Sequence, residues 1–265
     1  MLIPLKGRRL YYDLTGSETG PVVCFTHSLA SDSGMWAEQM PPLLAAGFRV
    51  LRLDMRGHGG SDTGAGPFSM SGLAGDVAAA INALGLDRVH YVGLSIGGMI
   101  GQGFALEHAA KLKSLMLCDT LPGVLPDAKT AWAPRIEAVT KANSLAPIAD
   151  ATMDRWFTGA FKPGNPQRWQ QIRDTIAETP PAAFLGCAAA ILDFNWAPGL
   201  PSLKVPTLVV CGSDDPGTPP AANRRIAELI PGARYQEIAD ARHFVNVERA
   251  ETFNEILLGW LKAQR

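Results

Sequence analysis

The sequence predicts an α/β protein, with a mostly parallel sheet, helices on both faces and an inserted helical lid, and three observations point there. Short apolar runs alternate with segments of helical periodicity from the start to about Leu121. That alternation breaks after Pro122 and resumes near Val205. Within the first alternating block, Gly93-Leu94-Ser95-Ile96-Gly97 joins an apolar run to a helical one through a turn that needs small residues. Alternation of this kind builds a parallel sheet, because each crossover helix buries its apolar stripe against the sheet.

The elements follow in order. The first block supplies strands near 9–14, 22–27, 49–54, 88–93 and 113–118, with helices near 35–46, 71–85 and 96–108 between them. The last block gives a strand at 207–211, a helix at 219–230, a strand at 233–238 and a closing helix near 247–263. Residues 1–121 and 202–265 thus form one core domain, and 122–201 the lid. The lid reads as several short helices punctuated by Pro134, Pro147, Pro163, Pro166 and the pair Pro180-Pro181. It holds four of the six tryptophans, at 132, 156, 169 and 196, with Phe157, Phe161, Phe184 and Phe194. Most of these must pack the lid on the core, and some should line a pocket. Four lid arginines, at 135, 155, 168 and 173, are the place to look for a contact to an anionic substrate, against the plainer reading of solvated helix faces.

Composition narrows the function classes. With 265 residues, a net charge of −1 and no basic block, the chain is a poor nucleic-acid binder. No apolar run approaches the ~20 residues that span a bilayer, and the N-terminus lacks the layout of a signal peptide, so the expected location is cytoplasmic. Cys24, Cys118, Cys187 and Cys211 lie in apolar stretches without metal-ligand spacing and read as buried small hydrophobes. No internal repeat or low-complexity tract is present, and the oligomeric state stays open.

The chemistry centres on Ser95. A sharp strand-to-helix turn strains the backbone at its tip, and Gly93 and Gly97 remove side chains that would clash there. The helix behind Ser95 aims free N–H groups and its positive dipole end at the same spot. An activated serine needs a base, and the base an orienting carboxylate. Both follow in order: Gly212-Ser213-Asp214-Asp215-Pro216 after one strand, Ala241-Arg242-His243-Phe244 after the next. Among five histidines, His90 falls inside a strand and His108 ends a helix, where it can meet C-terminal carbonyls, so both read as structural. His58, in Arg56-Gly57-His58-Gly59, reads as a loop brace, and His27 ends a strand. Ser28 would compete as nucleophile only if a base reached it. For the acid, Asp214 and Asp215 are neighbours that point in different directions, so at most one can hold His243. Asp215 is favoured, and Asp119, one strand earlier, is the third candidate.

Over its whole length the chain resembles the α/β-hydrolases, and more narrowly the 3-oxoadipate enol-lactonases of bacterial aromatic-acid catabolism. The narrow resemblance rests on His27-Ser28-Leu29 with Met35-Trp36, Leu51 to Gly59, Gly93 to Gln102, Arg155-Trp156-Phe157-Thr158, Cys187-Ala188-Ala189-Ala190-Ile191 and Ile230 to Arg234. It implies a Ser95–His243–Asp215 triad, with Asp215 in the Gly-x-x-Asp-Pro arrangement of this loop, and an oxyanion hole from the N–H groups of Leu29 and Ile96. It further implies that Arg135, in Trp132-Ala133-Pro134-Arg135, meets a substrate carboxylate, with Trp132 and Trp156 beside it. No metal or organic cofactor is implied, and the partner is a small lactone or ester. The chain departs from the family at Ala30, where a glycine is frequent, at Phe244, where a leucine is frequent, and at Asp193-Phe194-Asn195-Trp196, so a related lactone or ester is a live alternative. So are a carboxylesterase and a C–C bond hydrolase, with perhydrolase or haloperoxidase turnover as a side reaction. A ligand receptor on this fold would leave a complete triad unexplained.

Overall fold

A computed structural model describes residues 1–64 and 68–264. Its centre is an eight-stranded sheet built from β1 (Leu2–Leu5), β2 (Arg8–Thr15), β3 (Val22–Thr26), β4 (Arg49–Leu53), β5 (Val89–Leu94), β6 (Leu112–Cys118), β7 (Thr207–Gly212) and β8 (Arg234–Ile238). The spatial order is β1-β2-β4-β3-β5-β6-β7-β8. The β1–β2 and β2–β4 pairs are antiparallel, and every later pair is parallel. All residues of β3, β5 and β7 are buried, as expected for strands covered on both faces.

The helices are α1 (Met40–Ala45), α2 (Met70–Ala83), α3 (Ile96–Glu107), α4 (Ala128–Ala142), α5 (Ala146–Trp156), α6 (Phe161–Gly164), α7 (Pro166–Glu178), α8 (Pro181–Ile191), α9 (Pro220–Leu229), α10 (Val245–Glu248) and α11 (Ala250–Ala263). Helix α3 lies on β5 and β6 and packs on α2, and α9 lies on β7 and β8. Helices α4 to α8 fall between β6 and β7 and pack mainly on one another. Among the ties that hold this insertion to the rest, Trp196 Nε1 donates to the Met99 carbonyl at 3.0 Å, Arg168 Nε to Glu38 at 2.7 Å, Thr158 Oγ1 to Glu248 at 2.6 Å, and the Phe244 N–H to the Trp156 carbonyl at 3.0 Å.

Four local expectations need correction. Strand β1 precedes the first expected strand: it pairs Leu2 with Tyr11 through Leu5 with Arg8 at the sheet edge, and four residues containing Pro4 are too short to show a period. The expected helix 35–46 is a 3₁₀ segment, Ser33–Gln39, followed by α1, because Pro41 and Pro42 have no N–H to continue the first and sit well at the start of the second. The closing helix divides at Arg249, whose φ of −123° and ψ of 51° separate α10 from α11. Pro134 does not punctuate. It lies inside α4, on a surface helix whose single fully buried residue is Val139, and the hydrogen bond it removes is the one to the Thr130 carbonyl. Pro147, Pro166 and Pro181 instead start helices.

Candidate active site

Ser95 sits between β5 and α3 with φ +60° and ψ −121°, a conformation that costs a non-glycine residue about 1–3 kcal/mol. The surroundings fix it. The Ser95 N–H donates to the Cys118 carbonyl at 2.9 Å, and the Ser95 carbonyl accepts from Thr120 Oγ1 at 2.7 Å and from the Met99 N–H at 3.0 Å. A Cβ on Gly93 would lie 2.2 Å from the Gly97 oxygen, and one on Gly97 would lie 2.4 Å from the Thr26 oxygen. Both glycines are therefore required by close approach, which is what lets the turn be this sharp.

Asp215 and His243, the expected acid and base, meet beyond the ends of β7 and β8. His243 Nδ1 and Asp215 Oδ2 are 2.7 Å apart, and both residues are buried. The Asp215 carboxylate also accepts from the Gly217 N–H at 2.8 Å, the Thr218 N–H at 3.1 Å and the Thr218 hydroxyl. Burial pushes its carboxyl up, but the imidazole and the Thr218 donors outweigh burial and hold it below the ordinary carboxylate range. Asp214 is exposed and accepts from the Ser213 hydroxyl. Asp119 is fully buried at the end of β6 with φ +42°, and its Oδ1 accepts from the Gly212 N–H at 2.8 Å while Oδ2 has no hydrogen-bond partner among the described residues. One ligand atom each of Asp119, Asp215 and His243 lies within 4.8 Å of the others. Burial first, and then the Asp215 charge, drive the Asp119 carboxyl well above its usual range. A cation could find three donor atoms here, but Asp215 Oδ2 is already engaged by His243 and Thr218.

The loop after β3 is braced by two neutral histidines. The Met55 N–H donates to His27 Nε2 at 2.8 Å, and the Ala30 N–H to His58 Nε2 at 3.2 Å. Burial pushes both rings below the usual imidazole range. Ala30, the departure from glycine, holds φ +58° and is buried. The Leu29 and Ile96 N–H groups have no acceptor among the described residues. His90 Nδ1 meets Ser114 Oγ at 2.9 Å in the core. His108 meets the helix end through its backbone N–H, which donates to Phe104, while its ring packs on Phe104. All four cysteines are buried and unpaired.

A cavity of about 350 Å³ opens above Ser95, at the small end of ligand-binding cavities. Ser28, Leu29, Ser95, Asp215, Thr218 and His243 line its floor, and Trp132, Arg135, Arg155, Trp156, Phe184 and Ile191 are contributed by the helical insertion. Trp156 stacks on Phe244 with ring centres 3.9 Å apart. The Arg135 guanidinium lies 4.1 Å from the centre of the Trp132 ring, and burial, then repulsion from Arg155, pulls its pKa down to about 9. The four arginines of the insertion part into two kinds. Arg168 pairs with Glu38 and Arg173 with Asp150, whereas Arg135 and Arg155 have no carboxylate partner among the described residues and both line the cavity.

A strained serine at a strand-to-helix turn, and an aspartate and a histidine after two later parallel strands, define one architecture, and residues 21–250 match the family profile described as alpha/beta hydrolase fold. The chain belongs to the α/β-hydrolase family. Within it, a 3-oxoadipate enol-lactonase of Acinetobacter baylyi is 30% identical over 99% of this chain and 97% of its own. The crystal structure of an enol-lactonase from Burkholderia xenovorans LB400 superposes with a TM-score of 0.93 at 34% identity, covering 99% of this α/β-hydrolase and 100% of the other chain. A malate-bound thermophilic esterase from Thermogutta terrifontis follows at a TM-score of 0.89 and 30% identity, covering 97% and 94%.

Two contributors at this site escape sequence reasoning. Thr218 bridges the acid and the base, with its hydroxyl on Asp215 and 3.3 Å from His243 Nδ1. Thr120 clamps the Ser95 carbonyl. The first had a usable signal, since a threonine three residues after an aspartate suits a turn closed by that carboxylate.

Proposed function

We propose that this α/β-hydrolase opens a small enol-lactone of the 3-oxoadipate type through an acyl-enzyme on Ser95, and that residues 122–201 serve as the cap over a core of 1–121 and 202–265. The observation that carries the reading is the pair of guanidinium groups without a carboxylate partner among the described residues, Arg135 and Arg155, in the same cavity as Ser95 and His243. A neutral acyl substrate gives them nothing to bind. A lactone bearing a carboxylate does, and full-length likeness to two enol-lactonases supports it.

The chemistry follows from the geometry. Asp215 holds Nδ1 of His243, which leaves Nε2 to take the Ser95 proton as Oγ attacks the lactone carbonyl. The free N–H groups of Leu29 and Ile96 receive the oxyanion. Collapse breaks the ring C–O bond, and His243 returns the proton to the departing enol oxygen. That leaving group stays tethered, and its enol reverts to the ketone, which draws the reaction forward. Water deprotonated by His243 then attacks the acyl carbonyl and frees Ser95. Arg135, held against Trp132, meets the substrate carboxylate. The likeness to the Thermogutta esterase favours a carboxylesterase as the second reading.

The test is kcat/KM for 3-oxoadipate enol-lactone beside p-nitrophenyl acetate, with Ser95→Ala as the blank. The expected result is ~10⁵ M⁻¹s⁻¹ or more for the lactone with a poor ester rate. Lactone turnover no better than ester turnover would leave the esterase reading. Arg135→Ala should lower the lactone rate and spare the neutral ester; equal effects on both would remove its role.

A further inference from the structure

Two guanidinium groups in one small cavity raise a question of charge. Leaving a buried cation unpaired is unfavourable, and two of them repel, so such an arrangement persists where a ligand supplies the missing anions. Arg155 is half-buried, donates from Nη2 to Thr152 Oγ1 at 3.0 Å, and forms no ion pair among the described residues, with its sequence neighbour Asp154 exposed to solvent. Arg135 has its Nε buried without an acceptor. Asp215 is the one carboxylate among the described residues that line the cavity, and its oxygens are taken by His243, Thr218 and Gly217. Asp119, behind it, does not line the cavity. Asp215 keeps its charge against His243 and its turn donors, so the two guanidinium groups are the cavity cations without a carboxylate partner among the described residues, and a lactone with one carboxylate can pair with only one of them.

Ring opening removes the mismatch. A lactone monoanion and water give an open-chain dicarboxylate and one proton: the acyl C–O bond breaks, water oxygen bonds to the acyl carbon, and the new acid ionises beside the catalytic histidine. We infer that Arg155 and Arg135 together form a seat for a dicarboxylate, so that the open-chain dianion binds more tightly than the monoanionic lactone and its departure limits turnover. Arg155 is then a residue that sets affinity for the second carboxylate, on the arm that Arg135 does not hold. This rests on the lactonase reading for its link to turnover, but the seat itself is a property of the cavity.

The experiment is calorimetric titration, which needs no turnover and so stands apart from the fate of the lactonase reading. The ligands are the C5 and C6 dicarboxylates glutarate and adipate, against the monocarboxylates pentanoate and 4-oxopentanoate. The wild type should bind the better dicarboxylate at least about tenfold more tightly than either monocarboxylate, with affinity falling as salt rises. Arg155→Gln should erase that preference and leave monocarboxylate affinity unchanged. Arg155→Lys, which keeps the charge, should retain most of it. Equal affinity of the wild type for the two classes overturns the inference without any variant. So does an Arg155→Gln protein that folds and keeps the preference. If the dicarboxylates do bind tightly and the lactone is not a substrate, the seat stands and the substrate assignment falls.

Discussion

Gly97→Ala tests whether the elbow depends on backbone contact between α3 and β3. The added methyl carbon would stand 2.4 Å from the Thr26 carbonyl oxygen and 2.8 Å from both the Thr26 carbonyl carbon and Oγ1. The nearest obstacle is main chain, and no rotamer relieves it. Helix and strand must part by at least about 0.6 Å before the closest contact reaches 3.0 Å, a forced repacking that typically costs about 1–3 kcal/mol. The same movement strains the Thr26 hydroxyl, which bonds the Gly97 carbonyl at 3.2 Å, and displaces Ser95 two residues away. At this chain length each kcal/mol lowers Tm by about 2–4 °C, so a fall of roughly 2–12 °C is expected. Misplacing a nucleophile by a substantial fraction of an ångström should reduce kcat by about 10- to 100-fold. Gly259→Ala is the control: it lies inside α11 with nothing within 4 Å of the new methyl, and should stabilise by about 0.5–1 kcal/mol with kcat unchanged. Thermal unfolding and ester turnover measured on both variants decide it. A Gly97→Ala protein with wild-type Tm and kcat would refute the close-approach argument.

Three further perturbations probe the acid side of the site. Thr218→Val removes a hydroxyl bonded to the Asp215 carboxylate, and kcat should fall about 10- to 100-fold with KM nearly constant; a KM effect alone would make Thr218 a pocket residue only. Asp215→Asn should lower kcat about 10⁴-fold. Because the folded protein holds that carboxyl below the unfolded value, its contribution to stability is present above about pH 4 and fades below it, so the wild type should lose Tm more steeply than Asp215→Asn on acidification. Asp119 has the opposite sign. Its carboxyl is raised in the fold, so the native state holds a proton that the unfolded chain releases above about pH 4, and stability drops as pH rises from there. Asp119→Asn removes that slope, and its Tm advantage over the wild type should be larger at pH 8 than at pH 5; an advantage that grows toward acid would contradict a neutral Asp119.

How much of this was legible in the sequence depended on the range of each interaction. Strands β3, β5 and β7 showed as apolar runs because every residue in them is buried, and burial writes itself into composition. Strand β1 sits at the edge with its burial alternating over four residues, too few to register. The order Ser95, Asp215, His243 was readable because each residue follows a strand, and parallel strands deliver the loops at their C-terminal ends to one side of the sheet. That at most one of Asp214 and Asp215 could hold His243 followed from neighbours pointing in different directions, the choice of Asp215 rested on the Gly-x-x-Asp-Pro resemblance, and Asp214 does face solvent. The pairing of lid arginines was not readable. Glu38 lies 130 positions from Arg168, so nothing local distinguishes a cation with a partner from one without.

The same limit explains why the site's electrostatics surfaced only in three dimensions. Asp119 and Asp215 are 96 positions apart in the chain, and it is the pairing of β6 with β7, Cys118 opposite Val210, that sets them side by side. Once adjacent and buried they cannot both ionise. His243, reaching one of them at 2.7 Å, settles which carboxyl keeps the charge. Which aspartate pairs with His243 is thus fixed by position relative to the histidine and not by any intrinsic difference between two aspartates. It follows that a chain of this fold can carry a carboxyl behind its acid without splitting the charge between them, provided only one of the two has the imidazole and the turn N–H groups.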